Sequence, residues 1–186
     1  YYDRVYHGSW NALTVISLSI GQGELGCTPL QMANFAAILA NRGYYYIPHI
    51  VKRIEGRDSI DRRFYEKQYT MIDPKHFEPI VDGMWRGVNV GGTSTAARLE
   101  GLDVCGKTGT AENPRGRDHS TFLSFAPKDN PKIAISVYVE NGGFGASAAL
   151  PIASLLEEYY LTDTIRRPAL LEHIKNMNIY YPSYDR

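Results

Sequence analysis

The sequence predicts an α+β fold, an antiparallel sheet with helices against it. Strand-like runs at 102–110, 121–126 and 133–139 follow one another, and the last is an almost continuous β-branched and apolar stretch. Asp129-Asn130-Pro131 supplies turn residues between the second and third runs, which argues for a hairpin and hence for antiparallel pairing. Helical spacing of apolar residues marks segments before and after these strands.

The elements follow in chain order. An apolar run at 13–20 is closed by the Gly21-Gln22-Gly23 turn. Thr28 can cap a helix, Pro29 suits its first turn, Gln31 completes a capping box, and Asn41-Arg42-Gly43 is a stop, so a helix is expected over about 29–41. The tyrosine-rich stretch 44–51 has strand formers, but Pro48 demotes it to an edge or irregular extended segment. Residues 55–67 are charged and read as exposed. Phe77, Ile80, Val81, Met84 and Trp85 recur at helical spacing within 74–88, and a short helical stretch at 95–99 follows Gly91-Gly92-Thr93-Ser94. After the strands, Gly142-Gly143-Phe144-Gly145 breaks the chain, 148–161 reads as an apolar helix, and 163–186 as a loosely packed extension to a domain spanning 1–162.

Composition narrows the function classes. With 186 residues, 44% of them hydrophobic and 22% charged, the chain is globular and long enough to bury a core as one domain or most of a larger one. Twenty basic residues balance twenty acidic ones, so net charge does not draw it to nucleic acid or to an anionic membrane. Its two cysteines, Cys27 and Cys105, form neither a CxxC pair nor a Cys/His cluster, which removes structural zinc and the disulfide scaffolds. No apolar run approaches the roughly 18 residues of a membrane helix. The start at Tyr1, without Met or a signal-peptide pattern, suggests an excised fragment.

The chemically loud stretch runs from Gly101 to Thr110. Gly101-Leu102-Asp103-Val104-Cys105-Gly106-Lys107-Thr108 satisfies the phosphate-cradle pattern GxxxxGK[ST]. That motif needs a strand before it and a helix behind its lysine, whereas here Gly109 and Pro114 forbid a stable helix after Lys107. The alternative takes Lys107-Thr108-Gly109-Thr110 as a strand beside an acyl-transfer site. The lysine offers a cation to a substrate carboxylate, the threonines offer hydroxyls, and Gly109 lets a substrate backbone approach. The amide after the glycine, that of Thr110, is placed to serve an oxyanion hole.

Several linked motifs then add what this triplet alone lacks. Ser17-Leu18-Ser19-Ile20-Gly21-Gln22-Gly23-Glu24-Leu25, Thr28 to Asn34, Asn41-Arg42-Gly43, Gly106 to Glu112, Phe125-Ala126-Pro127 and Val139-Glu140-Asn141-Gly142-Gly143 occur in the order seen in class B penicillin-binding proteins of the penicillin-binding protein 2 type. The chain resembles the C-terminal part of their transpeptidase domain over about residues 10–162. The resemblance implies a partial penicillin-binding/β-lactamase-like fold. It also implies a peptidoglycan DD-transpeptidase of cell elongation that works through a serine acyl-enzyme, without a cofactor, and is the target of β-lactams. Lys107, Thr108, Gly109 and Thr110 are then substrate-binding residues. The implied partners are stem peptides ending in D-Ala-D-Ala and membrane proteins of the elongation machinery. The implied location is the periplasmic face of the bacterial inner membrane, held by an N-terminal helix outside these residues. With part of the family sheet missing, an open strand edge is expected to self-associate.

The family's nucleophile lies in an SxxK motif, and no serine here has a lysine three residues later. Ser124 and Lys128 are four apart. Ser9-Trp10-Asn11 matches the second motif, SxN, but sits directly before the Gly-Gln-Gly segment and is read as chance. No catalytic residue is therefore assigned. Glu112 and Asp118 read as solvated loop residues, Cys105 as a buried inert thiol, and the five scattered histidines as exposed or locally bonded. Two other readings stand beside the transpeptidase: a nucleotide-binding domain through GLDVCGKT, and a non-enzymatic penicillin-binding-like interaction module.

Overall fold

The computed structural model describes residues 1–57 and 59–179. Two short helices open the chain, α1 (Tyr2–Val5) and α2 (Ala12–Ser19). The second is the apolar run of the sequence, N-capped by Asn11, yet none of its residues is buried. In α3 (Pro29–Ala40) the expected capping box forms. Thr28 Oγ1 accepts from the Gln31 amide, and Gln31 Oε1 accepts from the Thr28 amide. Arg42 and Gly43 take positive φ values of 55° and 110° and end the helix.

Proline limits the next stretch as expected. Among the described residues of this stretch only β1 (Tyr44–Tyr45) and β2 (Gln68–Tyr69) pair, antiparallel, and most of the chain between them is irregular and exposed. The helix expected over 74–88 is divided: Pro74–His76 is a single 3-10 turn capped by Asp73, and α4 (Glu78–Asn89) follows. Pro79 lacks an amide hydrogen, which suits it to a first turn and not to a helix interior, so the α-helix starts beside it. Thr95–Ala97 makes one 3-10 turn, shorter than the expected 95–99.

The main sheet has the order β3 (Cys105–Ala111), β4 (His119–Ala126), β5 (Ile133–Val139), antiparallel throughout. The first strand begins at 105 and not at 102. The Leu102 amide returns to the Leu99 carbonyl and the Val104 amide to that of Leu102, so 99–104 is a turn and not extended chain. Gly101, with φ of 74°, permits it.

Helices cover both faces. On one, α5 (Ala149–Thr162) packs Ala149, Leu150 and Ala153 against Phe122, Ala126, Val104 and Val88. On the other, α3 and α4 bring Leu39, Ala40, Val81 and Met84 onto Cys105 and Phe125, with Phe77 beside them. Phe122 and Phe125 are both fully buried, on opposite sides of the same strand, because side chains alternate along it. The tail departs from the loose extension expected: α6 (Pro168–Lys175) lies against α5. Its Pro168 start, followed by Leu170, Leu171 and Ile174 at helical spacing, was the available signal. The tyrosine-rich end, 180–186, lies outside the described residues.

Candidate functional site

The Lys107–Thr110 segment lies on β3, which has β4 on one side and, among the described residues, no strand on the other. Its buried end is fixed by Cys105, fully buried, whose thiol is pushed up to about 12 by that burial. Cys105 and Lys107 share a face, as expected from their spacing, but the lysine is exposed where the cysteine is not. The inert-thiol reading of Cys105 matches this environment.

Close backbone packing holds the strand. A Cβ on Gly106 would lie 2.5 Å from the Phe122 ring, and one on Gly145 would lie 2.5 Å from the Gly109 carbonyl oxygen. The Gly145 amide donates to Thr110 Oγ1 at 3.2 Å. Ser120 anchors the same corner: its hydroxyl contacts the carbonyls of Phe144 and Gly145, and it accepts from the Ala149 amide at the start of α5. The Gly142–Gly145 segment is thus pinned against the Thr110 end of β3.

Three further contacts decorate the strand. Thr108 Oγ1 lies 3.1 Å from Thr93 Oγ1, in the turn after α4. Lys107 Nζ donates to the Thr108 carbonyl at 2.7 Å, and Gln22 Nε2 donates to the Thr110 carbonyl at 3.2 Å. All four predicted binding residues therefore occupy one strand, and Thr93 and Gln22 join them from elsewhere. Neither was assigned to the site from sequence. Gln22 lay inside the Gly-Gln-Gly motif and Thr93 in a Gly-Gly-Thr-Ser turn, and only the folded chain brings them to β3.

The remaining candidates take local roles. Ser9 donates to the Tyr6 carbonyl and Asn11 accepts from the Leu13 amide, so the SxN match builds a turn and a helix cap. Ser124 and Lys128 diverge: the serine is buried and donates to Glu157 Oε1 at 2.7 Å, while the lysine lies over the Trp85 ring and pairs with Asp82 at 3.2 Å. Asp118 accepts from the Asn113 amide within its loop. His49 contacts the Ile47 carbonyl, and His119 Nδ1 accepts from the Asn141 amide. Among the described residues there is no group of three or more His, Cys, Asp or Glu side chains that could hold a metal. The phosphate-cradle reading fails on geometry, since the chain after Lys107 continues as strand to Ala111.

Residues 6–156 match the penicillin binding protein transpeptidase domain. The chain belongs to that family. Among its relatives, the peptidoglycan D,D-transpeptidase MrdA of Haemophilus influenzae is 36% identical over 185 residues, covering 88% of this chain and 28% of the relative. Pseudomonas aeruginosa PBP2, solved in complex with WCK 5153, superposes with a TM-score of 0.74 at 34% identity, over 87% of this chain and 35% of that one. Penicillin-binding protein A from M. tuberculosis, solved as an imipenem acyl-enzyme, gives 0.66 at 32% identity, over 77% and 33%. The chain thus spans 28–35% of the length of these three relatives.

Proposed function

We propose that these residues form the C-terminal part of the transpeptidase domain of a peptidoglycan D,D-transpeptidase that acts in cell elongation and is acylated by β-lactams. The observation that carries this is the free edge of β3, where Lys107, Thr108 and Thr110 follow one another with glycines packed behind them. An extended peptide can add to such an edge through its backbone, with the lysine and threonine hydroxyls facing its terminal carboxylate. The Thr110 amide, next to Gly109, is a donor for the oxyanion of an acyl-transfer intermediate. The relatives bear names or ligands of this chemistry.

The nucleophile is assigned to residues upstream of this segment, since Ser9, Ser120 and Ser124 are each engaged by local partners. An upstream part of the domain would also cover α2, whose Leu13, Val15 and Ile16 face solvent here. Among the described residues no helix is long and apolar enough to cross a membrane. A periplasmic setting with an upstream anchor, and contacts with membrane proteins of the elongation machinery, belong to this proposal. The test is fluorescent-penicillin labelling of the full-length protein, with Lys107→Ala as the probe of this edge. Labelling that is lost or slowed at least tenfold supports the role of β3. Labelling unaffected by the substitution removes it, and no labelling of the wild type removes the transpeptidase reading in favour of a non-enzymatic module.

A further inference from the structure

Gln22 sits on a turn built to aim it. Helix α2 ends in a left-handed closure in which the Gly21 amide donates to the Leu18 carbonyl and the Gln22 amide to that of Ser17. Gly21 and Gly23 hold φ values of 82° and 87°, which a side chain would resist, so the residue between them is presented by two fixed bends. Its carboxamide crosses to a strand 88 residues away in sequence and donates to the Thr110 carbonyl at 3.2 Å.

That carbonyl belongs to the edge assigned above to the substrate. Backbone groups reverse direction at each residue of a strand, so the carbonyls of Thr108 and Thr110 point the same way. Both are already occupied, by Lys107 Nζ and by Gln22 Nε2. An extended acyl donor that pairs with β3 brings a backbone-type N–H to the same acceptor line. It has to share or displace the glutamine there.

We propose that Gln22 is a specificity-determining residue of this site: its carboxamide holds the Thr110 carbonyl in the free protein and yields it to the amide N–H of the incoming acyl donor. The inference rests on the transpeptidase reading. It separates two ligand classes. A penicillin with an acylamino side chain, like the peptide substrate, carries an N–H that competes with Gln22. A carbapenem carries a hydroxyethyl group in its place and has no such N–H.

The experiment measures second-order acylation rates of the full-length protein and its Gln22→Ala variant with penicillin G and with imipenem. Removing a competing hydrogen bond should speed acylation by penicillin G about threefold to tenfold and leave imipenem within about twofold of its wild-type rate. Gln22→Met keeps the approximate size of the side chain without a charge and removes the donor, and should reproduce the effect if the alanine variant fails to fold. Equal changes with both drugs, or no gain with penicillin G, would overturn the role of Gln22 and leave the transpeptidase reading intact. A wild-type protein acylated by neither drug would remove both.

Discussion

At the residue scale, two buried positions make the sharpest predictions. Gly145 has the Gly109 carbonyl where its side chain would be, and backbone cannot rotate aside as a side-chain tip can. Gly145→Ala should therefore destabilise the chain by about 1–3 kcal/mol, read as a lowered midpoint in urea unfolding. Gly101→Ala, at a positive φ but in open space, should cost less, about 1 kcal/mol. Glu157 is a different case. It is fully buried on α5, accepts from Ser124, and has a second carboxylate oxygen without a hydrogen-bond partner among the described residues. Burial pushes its carboxyl from an ordinary 4.5 up to about 7, against smaller opposing effects of Ser124 and Arg167. Between those two pH values the folded chain keeps a proton that the unfolded chain has released, so stability falls as pH rises through this window and is level above it. The contribution is on the order of 3 kcal/mol. Glu157→Gln has no proton to lose, so its unfolding free energy should show a smaller decline than the wild type from pH 4.5 to 7. Parallel curves for the two proteins would show that the carboxyl does not titrate there.

At the scale of elements, capping signals in the sequence locate a helix where all their partners lie within its own first turn. Thr28, Pro29 and Gln31 define the start of α3 because their partners lie within one turn. The strand expected from 102 begins only at 105, since Leu102 and Val104 have strand-forming side chains but spend their amides on a turn. The helix at 168–175 has a proline start and helical apolar spacing in its own sequence, but eight residues are too short to be stable alone and it is held by packing on α5. Arg167 makes that attachment, donating to Glu158 Oε2 at 3.2 Å and to the Ser154 carbonyl and hydroxyl at 3.0 and 2.8 Å. Glu158 is buried, so losing its partner strands a charge, and Arg167→Ala should cost about 2 kcal/mol. Hydrogen exchange localises the effect. Amides of 169–175 should lose protection, while those of β4 should change only by the overall loss of stability.

For the whole molecule, the three-stranded sheet leaves β3 open on one side and β5 on the other among the described residues. Unpaired edges invite strand addition, so the 186-residue chain studied alone should self-associate, and size-exclusion chromatography across a range of concentrations should show the apparent mass rising. A strict monomer at every concentration would mean that the edges are covered in solution. The same isolated chain should form no covalent adduct with penicillin. Binding and oxyanion donors alone do not make an acyl-enzyme without an activated nucleophile. Intact-mass spectrometry after incubation with penicillin G checks this, and a stoichiometric mass gain would place a nucleophilic serine within these residues, with Ser9 the first to replace.

The sequence by itself determined the family, the α+β class, the order of the main elements and the four residues proposed here to bind substrate, because each rests on contacts between near neighbours or on linked motifs. Tertiary structure alone decided what surrounds them. Gln22 reaches Thr110, Thr93 reaches Thr108 and Gly145 closes on Gly109 across separations that leave no periodic trace. The physical reason is that a hydrogen bond between a turn and a strand edge depends on where two rigid elements are packed, and that packing is set by the cores on either face of the sheet.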